Sequence, residues 1–324
     1  MQTPSPDSGA SPSEFDMIAR HFTRPARSAG VVLGVGDDCT VLAPTPGQQL
    51  AVSVDTSVAE VHFPGEAPAS AIGHRALAVS LSDLAAMGAR PRWCLMALTL
   101  DHADDAWLAP FAQGFDQLCA RTGTDLVGGD VTRGALSVSV TVHGEVPPGE
   151  ALTRHGAQEG DLLAVTGTLG GGAGGLAAWQ AGERSLDDPL LAAYLLPEPR
   201  LDAGQALRGL ASAAIDVSDG LLADLKHLCD ASGVGAELDI EALPLASGLV
   251  ERLGEGAQRA ALSGGDDYEL LIGLPPEALE TARQALDDLG VPLTIIGRFT
   301  AAPGIHGVEA TGPGGWQHFS GVTS

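Results

Sequence analysis

Aspartates beside small residues recur along this chain: Gly36-Asp37-Asp38, Ser53-Val54-Asp55-Thr56, Ser82-Asp83, Gly128-Gly129-Asp130 and Asp216-Val217-Ser218-Asp219-Gly220. Taken singly, an aspartate next to glycine or serine is a turn former or a helix N-cap. Five such motifs in one chain point to a shared task. Two carboxylates about 5 Å apart repel by roughly 3 kcal/mol at an effective dielectric of 20, so a convergent set stays ionised only around cations. Hard oxygen ligands, with no Cys and little His among them, select Mg²⁺ or Mn²⁺ over zinc. Because Mg²⁺ completes its octahedron with water and phosphate oxygens, the pattern implies a phosphate-bearing substrate.

Composition narrows the partners. Forty-one acidic against 17 basic residues give a formal charge of −24, the opposite of a nucleic-acid footprint, and anionic membranes are excluded on the same ground. Lys226, in Asp224-Leu225-Lys226-His227, is the single lysine, so neither a Walker A loop nor a kinase-type Val-Ala-Ile-Lys strand is present. Metal ions must then do the work of the missing lysine on any nucleotide phosphate. Cys39, Cys94, Cys119 and Cys229 form no Cys-x-x-Cys pair, which leaves no zinc knuckle and fits a reducing cytoplasm. Gly170, Gly172 and Gly175 make a formal Gly-x-Gly-x-x-Gly, but no following strand carries a ribose-binding acid. The run is expected to be a helix N-terminus or a tight packing surface instead.

The elements that must position these acids follow from periodicity. A helix is expected from Ser13 to before Arg24-Pro25, with Phe15, Ile18, Ala19 and Phe22 on one face. Strands are expected at 31–33, 39–42, 50–54, 92–100 and 136–146, with helices at 67–87 and 104–121. Asp55, Asp130 and Asp216 are placed where short apolar runs give way to turns. Pro147-Pro148-Gly149 interrupts both helix and ladder and is the expected boundary. Beyond it, strands at 161–165, 214–217, 235–238, 270–274 and 293–296 alternate with helices. The division reads as a disordered tail over 1–13, an N-terminal α+β domain over 14–148 and a C-terminal α/β domain over 149–324. No uninterrupted apolar stretch of about 18 residues offers a transmembrane helix.

Together the motifs resemble the thiamine-monophosphate kinase family, in the superfamily that also holds aminoimidazole ribonucleotide synthetase and selenophosphate synthetase. The resemblance runs from about Phe15 to Phe319 and rests on 34–39, 53–56, His62-Phe63, 76–89, 128–134, Leu152-Thr153-Arg154, 215–221 and 263–270. It implies the two-domain aminoimidazole ribonucleotide synthetase-like fold, with a mixed N-terminal sheet that pairs in a homodimer. It implies ATP- and Mg²⁺-dependent phosphorylation of thiamine monophosphate to thiamine diphosphate, with several ions and no catalytic side chain. By motif position, Asp38, Ser53, Val54, Asp55, Asp83, Asp130, Asp216 and Asp219 would hold metal. Val54 stands where relatives often have Thr, so it would ligate through its carbonyl. Gly129, Asp130, Arg154 and Ser218 would surround ATP, and His62, Glu269 and Trp316 thiamine monophosphate, Trp316 offering a π face and Glu269 accepting from the aminopyrimidine. A phosphohydrolase using the same acids on water, and a non-enzymatic cation-binding protein, are the competing readings.

Overall fold

The computed structural model describes residues 14–308. The segment 1–13 expected to be a tail, and Trp316, lie outside the described residues. In the first half come α1 (Glu14–His21), β1 (Val31–Leu33), β2 (Val41–Leu42), β3 (Gln49–Val58), α2 (Ala69–Ala86), β4 (Arg90–Leu100), α3 (Asp105–Thr122), β5 (Asp125–Arg133) and β6 (Ser137–Val146). The second half contains β7 (Leu162–Thr166), α4 (Gly171–Gln180), α5 (Pro189–Leu195), α6 (Leu201–Ala206), β8 (Ala213–Asp216) and α7 (Leu221–Ser232). It continues through β9 (Gly235–Leu238), α8 (Leu249–Leu253), α9 (Ala257–Ser263), β10 (Leu270–Leu274), α10 (Leu279–Asp287), β11 (Leu293–Thr300) and β12 (Ile305–His306).

Two sheets carry the architecture. The first has the order β3-β6-β4-β5 and is mixed, with β4 and β5 parallel and the other pairs antiparallel. The second has the order β12-β9-β11-β7-β10-β8 and is antiparallel apart from β9 with β12. No strand of either sheet crosses the 147–161 segment.

Helix α2 explains how the halves meet. Nearly every side chain on it is buried, which a helix apolar on all sides requires. It packs on α3 and on β3 and β6 of its own half, and on α5, α6 and β8 of the other. Two glycines let the first half close this tightly. A Cβ on Gly114 would lie 1.9 Å from the Ser70 carbonyl oxygen, and one on Gly129 1.9 Å from that of Met96. Gly129 also holds a φ of +149° that other residues rarely adopt.

Candidate active site

The acids do not all stand at strand ends. Asp55 is the seventh of the ten residues of β3, and Asp130 lies inside β5, a strand the Gly128-Gly129 pair hid from the periodicity. On β3 the even alternation sorts side chains by face. Leu50, Val52 and Val54 point outward at 47%, 57% and 60% exposure, while Ser53 and Asp55 face α2. The Val54 side chain therefore lies on the wrong face to join Asp55, and only its backbone remains as a donor of oxygen.

Asp83, three residues before the end of α2, meets this face. The Ser53 hydroxyl donates to its carboxylate. Asp55 lies against Asp83 and Ser80, and burial first, then the Asp83 charge, pushes its carboxyl up to about 6. One oxygen, Asp55 Oδ2, is buried with no hydrogen-bond partner among the described residues. From the second half, Asp216 ends β8 and accepts from Ser82 Oγ at 2.6 Å. Burial, then the charges of Asp83 and Asp55, pushes Asp216 up to about 7. Ser53, Asp83, Asp216 and Arg154 line one cleft of about 260 Å³ between the halves, and among the described residues Arg154 is its single cationic lining residue.

The turn after β8 brings Ser218 and Asp219. Asp224, on the first turn of α7, was not foreseen from its spacing: its Oδ2 accepts from the backbone N–H of Ser218, Asp219 and Gly220 at 3.0, 3.1 and 3.2 Å. It too is pushed up to about 7, by burial and then by Asp216 and Asp219. The signal was an acid four residues after Gly220, at a helix start where free N–H groups need an acceptor.

Asp38 and Asp130 lie elsewhere. With Gly129 they line a cavity of about 640 Å³ floored by Phe22, Leu95, Met96, Leu126 and Val127, roomy enough for a nucleotide. In register, Asp55 faces Val140, Val140 faces Met96 and Met96 faces Gly129. Three strand spacings, roughly 14 Å, thus separate Asp55 from the Gly129-Asp130 pair. The expected convergence of all the acids is not met within one chain. Among the described residues no three His, Cys, Asp or Glu side chains are gathered closely enough to hold an ion alone. The orphaned Asp55 oxygen and the opposed, raised carboxyls nevertheless fit a hard cation that takes few protein ligands.

On the expected thiamine side, the Glu269 carboxylate is already engaged. Arg200 Nε and Nη2 donate to its two oxygens at 2.7 and 2.6 Å, and Thr166 Oγ1 donates at 2.7 Å. Buried at 4% exposure, it is held at the β7–β10 junction by these partners. His62 is half-buried and its Nδ1 accepts from the Val58 N–H at 3.0 Å. The glycine-rich run starts α4, as expected. Its Gly170 and Gly172 N–H groups are taken by the Asp267 carboxylate at 2.8 and 3.2 Å, so it cradles a side chain. Arg75 and Arg200 were missed; Arg75 carried a signal, being the single charge in the apolar stretch 69–82.

Comparison with known proteins agrees with this geometry. Residues 36–146 match the AIR synthase related protein, N-terminal domain, and 158–308 the AIR synthase related protein, C-terminal domain. The thiamine-monophosphate kinase of Escherichia coli (strain K12) is 47% identical over 294 residues, covering 89% of this chain and 90% of that protein. The crystal structure of thiamine-monophosphate kinase from Stenotrophomonas maltophilia K279a superposes with a TM-score of 0.82 at 45% identity, over 86% of this chain and 91% of that one. AaThiL complexed with AMPPCP and TMP has a TM-score of 0.78 at 30% identity, over 86% and 89%. With its two-sheet fold and its acidic interdomain cleft, the chain belongs to the thiamine-monophosphate kinase family of AIR synthase related proteins.

Proposed function

We propose that the chain transfers the γ-phosphoryl group of ATP to the phosphate of thiamine monophosphate, giving thiamine diphosphate and ADP. The observation that carries this reading is the cleft in which Asp83 and Asp216, with Asp55 against them and no salt-bridged cation among the described residues, face one another beside Arg154. Asp55, Asp83, Asp216 and Asp219, with Ser53 and the Val54 carbonyl, would hold Mg²⁺. Bound Mg²⁺ would neutralise phosphate charge and stabilise the charge spread over the transferring group. Arg154 and Ser218 would hold the phosphates of ATP, and His62 would lie toward thiamine monophosphate. The acceptor is a phosphate oxyanion near neutral pH, its second pKa being about 6, so attack needs no general base.

A homodimer completes the reading. The outward apolar row Leu50, Val52 and Val54 lies on an edge strand, a surface that a second copy of the chain would cover. Across such an interface the partner's Asp38, Gly129 and Asp130 would reach the cleft that their own chain holds about 14 Å away. We place the division between the two domains at 148/149, and the protein in the cytoplasm, where its four free cysteines stay reduced. Among the described residues no helix is long and apolar enough to cross a membrane.

The test is mass-spectrometric detection of thiamine diphosphate formed in step with ADP, abolished by EDTA. Phosphate release without acceptor would favour the hydrolase, and a trapped phosphoprotein would contradict direct transfer. Mixing Asp55→Asn with Asp130→Asn protomers is expected to restore about a quarter of wild-type activity, since half of random dimers carry one intact site. No recovery would place Asp130 in its own chain's site.

A further inference from the structure

Arg75 is 2% exposed in the middle of α2, and its guanidinium joins the two halves. Nη2 donates to Asp266 Oδ1 at 2.6 Å and Nη1 to the Tyr194 carbonyl at 2.5 Å. Its carbon lies 4.7 Å from the Tyr194 ring centroid and 5.7 Å from that of Tyr268, so two aromatic faces flank the charge. Tyr268 Oη donates to the same Asp266 oxygen at 2.8 Å.

The turn held in this way is strained. Asp266 and Tyr268 have φ of +60° and +52°, in the left-handed region that costs a non-glycine residue about 1–2 kcal/mol. Such backbone persists where its surroundings over-determine it. The same turn is tied to the acidic cleft by main-chain bonds. Asp266 N–H donates to Ser218 O at 2.8 Å, Tyr268 N–H to Val217 O at 2.9 Å, and Val217 N–H to Glu269 O at 2.8 Å. On the other side, Tyr194 Oη donates to the His62 carbonyl at 3.3 Å.

Arg75 and Ser82 are seven residues apart on α2 and share a face. Ser82 holds Asp216, and Arg75 holds Asp266, whose N–H donates to Ser218 O, so one helix face reaches the 216–219 turn directly at Asp216 and through Asp266 at Ser218. Burying a guanidinium has a desolvation cost of several kcal/mol, and a neutral side chain of similar volume would join the halves as well. A neutral side chain would not hold Asp266, the Tyr194 carbonyl and two rings in one orientation.

We propose that Arg75 is a positioning residue for the phosphoryl acceptor, setting the 264–269 turn and the His62 turn relative to the metal-side acids. This rests on the functional reading above. Arg75 touches no reacting atom; it acts through Asp266, Tyr268 and Tyr194.

The experiment compares wild type, Arg75→Met, Arg75→Lys and Asp266→Asn by steady-state kinetics, and by amide hydrogen exchange of the 216–220 and 264–270 peptides. Arg75→Met is expected to raise KM for thiamine monophosphate at least tenfold and leave KM for ATP within twofold. Exchange of both peptides is expected to quicken, with Arg75→Lys recovering part of both changes. A folded Arg75→Met whose acceptor KM stays within twofold of wild type overturns the proposal, as does a proportionate loss for both substrates. If Arg75→Met fails to fold, Asp266→Asn decides by the same selective rise or its absence. Wild type inactive on thiamine monophosphate would defeat the functional reading, while unchanged exchange in the variants would defeat the positioning role whatever the acceptor.

Discussion

Two acid-rich regions flank the 216–219 turn, and their carboxylates are treated in opposite ways. In the 264–269 turn, proposed above to position the phosphoryl acceptor, Asp266 is paired with Arg75, Glu269 with Arg200, and Asp267 with two backbone N–H groups. In the cleft, Ser53 donates to Asp83 and Ser82 to Asp216, Asp55 lies against Ser80 and Asp83, and the three carboxylates face one another. The first region is complete as folded. The second is electrostatically unfinished, its opposed carboxylates being what the proposed Mg²⁺ would balance. Acids of the same kind, a few residues from one turn, are thus divided between those paired within the fold and those proposed to serve the reaction.

The largest effect should come from the unfinished side. Asp83→Asn is expected to slow thiamine diphosphate formation by about 100- to 1000-fold, the range seen when one preorganised electrostatic partner of a transition state is lost. A rate within tenfold of wild type would remove Asp83 from the site. On the complete side, Arg200→Met strands the buried Glu269 carboxylate and should lower unfolding stability by about 3–5 kcal/mol in denaturant titration. A loss under 1 kcal/mol would show that Glu269 finds another partner and that the two regions differ less than described.

The smallest effect concerns pH. Burial pushes Asp267 up to about 7 from an ordinary value of 3.8, against the opposing pull of its two N–H donors. An acid with a raised folded-state value binds its proton more tightly when folded. Its stabilising contribution is therefore full below about 3.8 and lost as pH climbs through about 7. Metal-free protein should lose several degrees of melting temperature between pH 5 and 8, and Asp267→Asn should flatten that slope. An unaltered slope in the variant would assign the effect to the cleft acids alone.

The sequence made the acids legible because their motifs stand out against small residues, and it made α2 legible as an apolar stretch ending at Gly88. Strand β5 was obscured because Gly128 and Gly129 interrupt its apolar alternation, although only glycine fits beside the Met96 carbonyl. The alternation of helices and strands in the second half left strand direction open, since period two is the same for both senses of pairing. The destiny of each carboxylate was hidden for a different reason. Whether an acid meets Arg200, 69 residues away, or another aspartate is decided by tertiary packing. Arg75 shows the exception, a lone charge in an apolar helix whose burial demands a partner somewhere.

The most direct test of the unfinished cleft is thermal melting of Asp83→Asn beside wild type at pH 7.5, in metal-free buffer and with Mg²⁺ plus AMPPCP. Without metal the variant should melt above wild type, because one of three opposed charges is gone. With metal and nucleotide the order should reverse, as wild type alone gains the full stabilisation of binding. A variant that melts well below wild type in metal-free buffer would make Asp83 a structural acid and contradict the account.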